Sequence, residues 1–337
     1  MRTEATARRA RKIRRLVLVM AVGFAGLNAL AYGHARTMTH FTAGGTRTGK
    51  AETLSWSQKL WVLAIGVQLP KPSNSQTPLD RQMPFDTWAI PVEPGVTLEA
   101  WSVRQTDPKG VVVLFHGYAD RKSSALTEAR AFFNEGWAPV LVDLRGSGGS
   151  SGDTTSIGFF EARDVAAAVD FTRERFPDLP LVVWGASMGA ASSLRAVGEL
   201  GTRVDSLLLE APFATLRSAV VNRFHSLGVP AFGLAELLVF WGGEQQGFNG
   251  FRHNPVEYAA HVHVPTLLML GRRDDRVLMP EGRAVFDALA GEKQFETFEG
   301  LGHESLVNGN REQWLRVVHG FISRLGGSGH ESKGASE

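Results

Sequence analysis

A serine, an aspartate and a histidine stand in three short loop-like segments of this chain, and their types suit a nucleophile, a carboxylate and a base. The serine is Ser187 in Gly185-Ala186-Ser187-Met188-Gly189, directly after the apolar run Leu181-Val182-Val183-Trp184. A strand that ends in G-x-S-x-G and hands over to a helix turns so sharply that the serine occupies strained backbone. Side chains two positions to either side would strike neighbouring backbone, hence the glycines. Such a turn holds the serine Oγ above a sheet and leaves the Met188 N–H free to face a reacting oxygen. A second match, Gly148-Gly149-Ser150-Ser151-Gly152, sits in a glycine-rich loop with no helical pattern behind it. Ser187, in contrast, is followed by Ala190-Ala191-Ser192-Ser193-Leu194-Arg195-Ala196-Val197, which reads as a packed helix.

A hydroxyl needs a base to become a nucleophile, and the base needs an orienting acid. Downstream, the strand-like segment Pro265–Gly271 runs into Arg272-Arg273-Asp274-Asp275-Arg276-Val277, and Gln294–Phe298 runs into Glu299-Gly300-Leu301-Gly302-His303-Glu304. Both loops follow the C-terminal ends of expected strands, where open α/β sheets place their chemistry. His303 is expected to take the proton from Ser187, with Asp274 orienting the imidazole and stabilising its charged form.

The elements that must position these loops alternate along the chain. Strands are expected at Thr87–Ile90, Thr97–Val103, Val111–Phe115, Pro139–Leu144, Leu181–Trp184 and Ser206–Leu209, with helices near 124–134, 159–176 and 188–200 between them. Strand–helix repetition of this kind means a mostly parallel sheet, here of about eight strands, covered on both faces. About fifty residues between Pro212 and Pro265 exceed a plain crossover. Phe213–His225 and Ala231–Trp241 both read as helices of a small cap over about 213–255. The second is apolar nearly all round and is expected to line an acyl pocket, face lipid or bury against the body. Gly242, Gly243, Gly247 and Gly250 offer hinge points.

Five segments in one order resemble the α/β-hydrolase superfamily, and within it the bacterial membrane-anchored serine hydrolases of the esterase, lysophospholipase or prolyl-oligopeptidase-like kind. They are Val113-Leu114-Phe115-His116-Gly117-Tyr118, Val142-Asp143-Leu144-Arg145-Gly146-Ser147-Gly148-Gly149-Ser150, the Ser187 turn, Gly271-x-x-Asp274-x-x-Val277 and Gly302-His303, over roughly residues 80 to 325. The resemblance implies the chain order Ser, Asp, His found here. It implies a second oxyanion donor in the loop after the third strand, the Tyr118 backbone N–H, beside that of Met188. In one departure, Leu278-Met279 intervene before Pro280, which leaves Asp275 as an alternative to Asp274. A family variant would use an acid after the sixth strand, where Glu210 stands. The activity implied is hydrolysis of carboxylic esters, with lysophospholipids among the candidate substrates, through an acyl-enzyme and with no cofactor. An amidase or aminopeptidase using the same triad is the alternative, and a non-catalytic binding protein on the same fold a further one.

Other polar groups have plainer readings. His116, Asp143 and Arg145 sit at strand ends where they shape loops. Glu161 and Asp164 share a helix face and read as a loop anchor or a solvated face rather than an acid–base pair. His261 and His263 alternate on an extended segment without a carboxylate motif, so no metal site is expected. Gly146-Ser147-Gly148-Gly149 lacks the spacing of a phosphate-binding loop.

Charge is unevenly spread. The chain totals +2, yet residues 1–15 carry seven basic side chains against Glu4, so the remainder is at −4 and offers no nucleic-acid footprint. The basic lead precedes Leu16–Gly33, uncharged and interrupted only by Asn28 among amides, just long enough to cross a bilayer. The flanking charge predicts the N-terminus inside and the body outside. The expected organisation is a basic cytoplasmic lead at 1–15, a single-pass signal anchor at 16–33 and a connector at 36–84. The catalytic domain at 85–325 and a disordered tail at 326–337 complete it. Cleavage near Ala29-Leu30-Ala31 or Gly33-His34-Ala35 would instead release a secreted or periplasmic protein. Leu54–Leu69 reads as a short amphipathic helix, packed on the body or lying on the membrane surface. The expected partners are an acyl ester substrate and the membrane.

Overall fold

Residues 2–49 and 54–327 are described in a computed structural model of the chain. The first two elements are helices, α1 (Arg2–Thr39) and α2 (Trp56–Ile65). The domain proper then runs β1 (Phe85–Glu93), β2 (Val96–Val103), β3 (Val111–Phe115), α3 (Leu126–Asn134), β4 (Ala138–Val142), α4 (Glu161–Arg175), β5 (Leu181–Ala186), α5 (Met188–Gly198) and β6 (Ser206–Glu210). Two cap helices follow, α6 (Leu216–Ser226) and α7 (Leu234–Gln246), then α8 (Pro255–Ala259), β7 (Thr266–Gly271), α9 (Met279–Ala288), β8 (Lys293–Phe298), α10 (Leu306–Gly309) and α11 (Arg311–Gly327).

Among the described residues the eight strands form one sheet in the order β1-β2-β4-β3-β5-β6-β7-β8. β1 and β2 pair antiparallel, as do β2 and β4; β4-β3-β5-β6-β7-β8 are parallel throughout. The central strands are apolar without alternation because both faces are covered. Val111, Val113, Phe115 and Val183 pack on one side, Val112, Leu114, Val182 and Trp184 on the other. The parallel strands end on one edge, and the turns leaving β3, β5, β7 and β8 carry Tyr118, Ser187, Asp274 and His303.

The N-terminal region differs from the sequence expectation in extent. The helix takes in the basic lead and continues to Thr39, so residues assigned to the connector belong to it. Beyond the exposed apolar stretch, Ala31, Ala35 and Thr39 are buried. Trp241 of α7 donates to Asn28 Oδ1 at 3.2 Å, Gln245 donates to the Tyr32 carbonyl at 2.9 Å, and the Tyr32 and Trp241 rings meet edge-on at 5.4 Å. Asn28 thus has a partner on the cap. The connector is stitched to the domain by a bridge of His40 to Thr154, and a bridge of Thr42 to Pro70 closes it on itself. α2 forms behind a Ser55 capping box, but its apolar side chains Trp56, Leu60, Trp61 and Ile65 are exposed rather than packed. Positions 50–53 and 328–337, which include most of the expected tail, lie outside the described residues.

The cap also departs in detail. α7 buries Ala235 and Val239 against α6 and the end of β7, and it meets α1 along its other side. Gly243 serves close packing, because a Cβ there would sit 2.5 Å from the Phe248 carbonyl oxygen. That contact gives the glycine a packing role in place of a hinge.

The loop residues given plain readings are knitted into the fold. Asp143, buried, accepts from the Lys122 backbone N–H at 2.7 Å, the Gly149 N–H at 3.0 Å and Asn74 Nδ2 at 2.8 Å, and it pairs with the Lys122 ammonium. Lys122 is itself fully buried and reaches Glu99 at 2.6 Å. Arg145 pairs with Asp164 at 2.7 Å, and Glu161 accepts from the Ser156 and Gly158 N–H groups, so both carboxylates anchor loops. His116 accepts the Leu144 N–H on Nε2 and donates from Nδ1 to the Gly117 carbonyl, a structural role. His261 and His263 are exposed, and no metal-binding group of side chains occurs among the described residues. Ser150, the serine of the second G-x-S-x-G, is buried, donating to the Asp143 carbonyl and accepting the Glu99 N–H.

Removing one member of a buried ion pair strands the other charge in low dielectric. Lys122→Met is therefore expected to lower unfolding free energy by about 3–5 kcal/mol, read from urea midpoints; a loss below about 1 kcal/mol would contradict this role for the pair.

Candidate active site

Ser187 has φ 51° and ψ −108°, a left-handed conformation that a side-chain-bearing residue adopts only when its surroundings enforce it. The enforcement is local and visible. Its N–H donates to the Glu210 carbonyl at 2.7 Å, continuing the β5–β6 ladder one residue past its end. A Cβ at Gly189 would lie 2.3 Å from the Phe115 carbonyl oxygen, and one at Gly185 would lie 2.7 Å from Ala190 N, so neither position accepts a side chain without moving backbone.

The three candidate side chains meet. His303 Nε2 lies 3.1 Å from Ser187 Oγ, and His303 Nδ1 lies 2.7 Å from Asp274 Oδ2. The other Asp274 oxygen accepts the Arg276 and Val277 N–H groups, each at 2.8 Å. With its carboxylate an acceptor throughout, Asp274 calls for the proton on His303 Nδ1 and leaves the Nε2 lone pair facing the serine hydroxyl. Asp275 is exposed and takes no part. The Asp274 and His303 loops are tied together by the Arg273 N–H donating to the Leu301 carbonyl at 2.8 Å.

Glu210 stands apart from His303. Its carboxylate accepts from Trp184 Nε1 at 3.0 Å and Trp314 Nε1 at 2.7 Å, fixing the end of β6 that receives the Ser187 N–H. The backbone N–H groups of Tyr118 and Met188 have no acceptor among the described residues and border the same cavity as Ser187. The Tyr118 hydroxyl donates to the Met38 carbonyl at 2.5 Å, joining this loop to the last turn of α1. Burial pushes that phenol above its ordinary value, so it remains a donor.

The cavity measures about 430 Å³. Leu216, Ala219, Val220 and Arg223 of α6 form its cap wall, with Met38 of α1 alongside. Of the readings open for α7, the pocket wall drops out, since no α7 residue borders this cavity; α7 supports α6 from behind. Several contributors escaped sequence reasoning. Arg47, Arg223 and Arg276 border the cavity; the first two lie on segments with no motif, and Arg276 occupies an unspecified position of the Asp274 motif. Glu128 of α3, which no motif marks, is buried and hydrogen-bonded to Ser305 at 2.9 Å.

A family model described as Hydrolase_4, serine aminopeptidase S33, matches residues 106–239. YqkD of Bacillus subtilis, described as uncharacterized, is 23% identical over 250 residues, 73% of this chain and 82% of that protein. Lysophosphatidylserine lipase ABHD12 of Danio rerio is 25% identical over 224 residues, 64% of this chain, and the chain spans 52% of that relative's length. Among solved structures, an esterase of Pyrococcus furiosus superposes with a TM-score of 0.64 at 22% identity, covering 76% of this chain and 96% of that one. A likeness at that identity speaks for the fold.

Glu128 carries a pH signature. Burial first, and then the neighbouring Glu210 carboxylate, push its carboxyl from 4.5 up to about 8. One of its oxygens has no hydrogen-bond partner among the described residues. The folded chain thus holds a proton that the unfolded chain releases near 4.5, and stability falls as pH rises between that value and about 8. Glu128→Gln mimics the protonated form. Its Tm advantage over the wild type is expected to grow steadily from about pH 5 to about pH 8; parallel Tm curves would contradict the assignment.

Proposed function

We propose that this chain, a member of the α/β-hydrolase superfamily, is a membrane-tethered serine hydrolase that cleaves carboxylic esters by acyl transfer to water. The observation that carries the reading is the unbroken relay Ser187–His303–Asp274 at 3.1 and 2.7 Å, opening into a cavity. Ser187 Oγ attacks the ester carbonyl while His303 Nε2 takes its proton. Asp274 holds the imidazole in register and stabilises the imidazolium. The carbonyl oxygen becomes negative between the Tyr118 and Met188 N–H groups, at the N-terminus of α5, whose dipole favours that charge. Each such donor contributes about 3 kcal/mol to the transition state. His303 returns the proton to the departing alcohol, and water then repeats the sequence on the acyl-enzyme.

The membrane tether rests on α1, which contains a stretch from Arg8 to Thr39 long and apolar enough to cross a bilayer. Orientation follows from its basic lead, which favours an extracytoplasmic catalytic body. Both candidate cleavage sites fall in continuous helix packed on the cap, with Ala31 and Ala35 buried there. This supports an anchor that stays attached. A Cβ on Gly66, just after α2, would meet Thr37 Oγ1 at 2.5 Å, so α2 ends beside the helix turn that follows the apolar stretch. Its exposed Trp56, Leu60, Trp61 and Ile65 suit the headgroup region, as does Phe232 on the cap at 98% exposure. The name of one relative, a lysophosphatidylserine lipase, is consistent with a lipid ester as substrate.

Ser187→Ala is expected to lower p-nitrophenyl ester turnover by about 10⁴-fold or more, and Asp274→Asn by a comparable factor through loss of the correct imidazole tautomer. Equal turnover by the purified variants and the wild type would overturn the assignment. The family model's aminopeptidase description favours a second reading, amide cleavage by the same relay. Comparing kcat/KM for matched ester and aminoacyl-amide substrates separates the two, with the ester expected to dominate.

A further inference from the structure

Three arginines border the catalytic cavity: Arg47 from the connector, Arg223 from α6 and Arg276 from the loop that carries Asp274. Two other inward-turned arginines of the domain are matched with acids. Arg145 pairs with Asp164 and Glu93, and Arg195 with Glu199. Arg223 and Arg276 are also partly buried, yet among the described residues neither guanidinium has a hydrogen-bond acceptor or an ion-pair partner. Arg47 donates from Nη1 to the Ala119 carbonyl at 3.1 Å, and its other donors have no acceptor among the described residues. Burial, then repulsion from Arg276 and from Arg47, pull the Arg223 value below the ordinary one; exposed Asp275 offsets only part of this. Four acids also border the cavity, Asp120, Glu128, Glu210 and Glu304, and Glu210 and Asp120 act on Glu128.

Arg223 and Arg276 are partly desolvated, with exposed Arg47 beside them, and unpaired cations so placed are unfavourable until an anion joins them. Arginine forks match the oxygens of phosphate and carboxylate groups in two-point hydrogen bonds. We propose that Arg223, Arg276 and Arg47 form an anion subsite, so that the preferred substrate carries a phosphate group on the same molecule as the ester cleaved at Ser187. The inference rests on the serine-hydrolase reading and narrows its substrate class to phosphate-bearing acyl esters. A lipid headgroup and a soluble phosphorylated alcohol share that chemistry.

The test uses the full-length protein and two matched pairs of esters. One pair is soluble, 1-butyrylglycerol 3-phosphate against 1-butyrylglycerol. The other is long-chain in mixed micelles, lysophosphatidylglycerol against the monoacylglycerol with the same acyl chain. The wild type is expected to favour the phosphorylated member by about 10- to 100-fold in kcat/KM, chiefly through KM, as charge-assisted hydrogen bonds of this kind imply. Arg223→Gln and Arg47→Gln are each expected to bring that ratio toward one, and Arg223→Lys to restore part of it. A preference in both pairs identifies the phosphate itself as the ligand; a preference confined to the micellar pair, and lost in Arg223→Gln, identifies a lipid headgroup. A ratio near one in the wild type, or one unmoved by Arg223→Gln, removes the subsite while neutral-ester turnover keeps the hydrolase reading standing. Absence of turnover on every ester would remove both.

Discussion

The hydrogen bond from the Ser187 N–H to the Glu210 carbonyl, 2.7 Å long, holds a backbone conformation that side-chain-bearing residues avoid. Strain of this sort amounts to about 1–3 kcal/mol and persists only where the surroundings over-determine it. Here they do so from several sides. The parallel strands on either side of β5 leave no slack. Gly189 presses against the end of β3, and two indole N–H groups pin the Glu210 side chain. The serine is thereby presented at a sheet edge, where the β7 and β8 loops bring Asp274 and His303 to it.

Around that fixed point the rest of the molecule supplies walls. Helix α1 takes part in the site as well as extending from the domain. Its last turn accepts the Tyr118 hydroxyl through the Met38 carbonyl, and Met38 borders the catalytic cavity. The connector reaches the same loop through Arg47 and the Ala119 carbonyl. The loop that offers the Tyr118 N–H is therefore held on one side by the sheet and on the other by α1 and the connector. α7 braces this arrangement from outside by packing between α1 and α6.

Where sequence and structure agree, the reason is local. The apolar runs at 111–115 and 181–184 could only be central strands, and the glycines around Ser187 answer a steric demand that short spacing reveals. The separation of Asp274 from Asp275 needed coordinates, since both sit in the same loop and only the backbone turn decides which faces His303. The sequence left the role of α7 open because an apolar helix in isolation does not say which neighbour it covers; burial of Ala235 and Val239 against the cap core does. Glu128 and the three cavity arginines lay beyond sequence reading. Their environment comes from elements far apart in the chain, and a charged residue on a helix gives no sign of being turned inward. Glu210 was considered as an acid for His303, whereas its contacts make it a brace for the turn.

The central claim, that Ser187 is made nucleophilic by His303 and Asp274, is tested most directly by trapping. The full-length protein would be treated with a fluorophosphonate ester and the modified peptide located by mass spectrometry. The account predicts one adduct, on Ser187, forming rapidly in the wild type and slowed by orders of magnitude in His303→Ala. An adduct on Ser150 or another serine, or labelling of Ser187 at the same rate without His303, would contradict it.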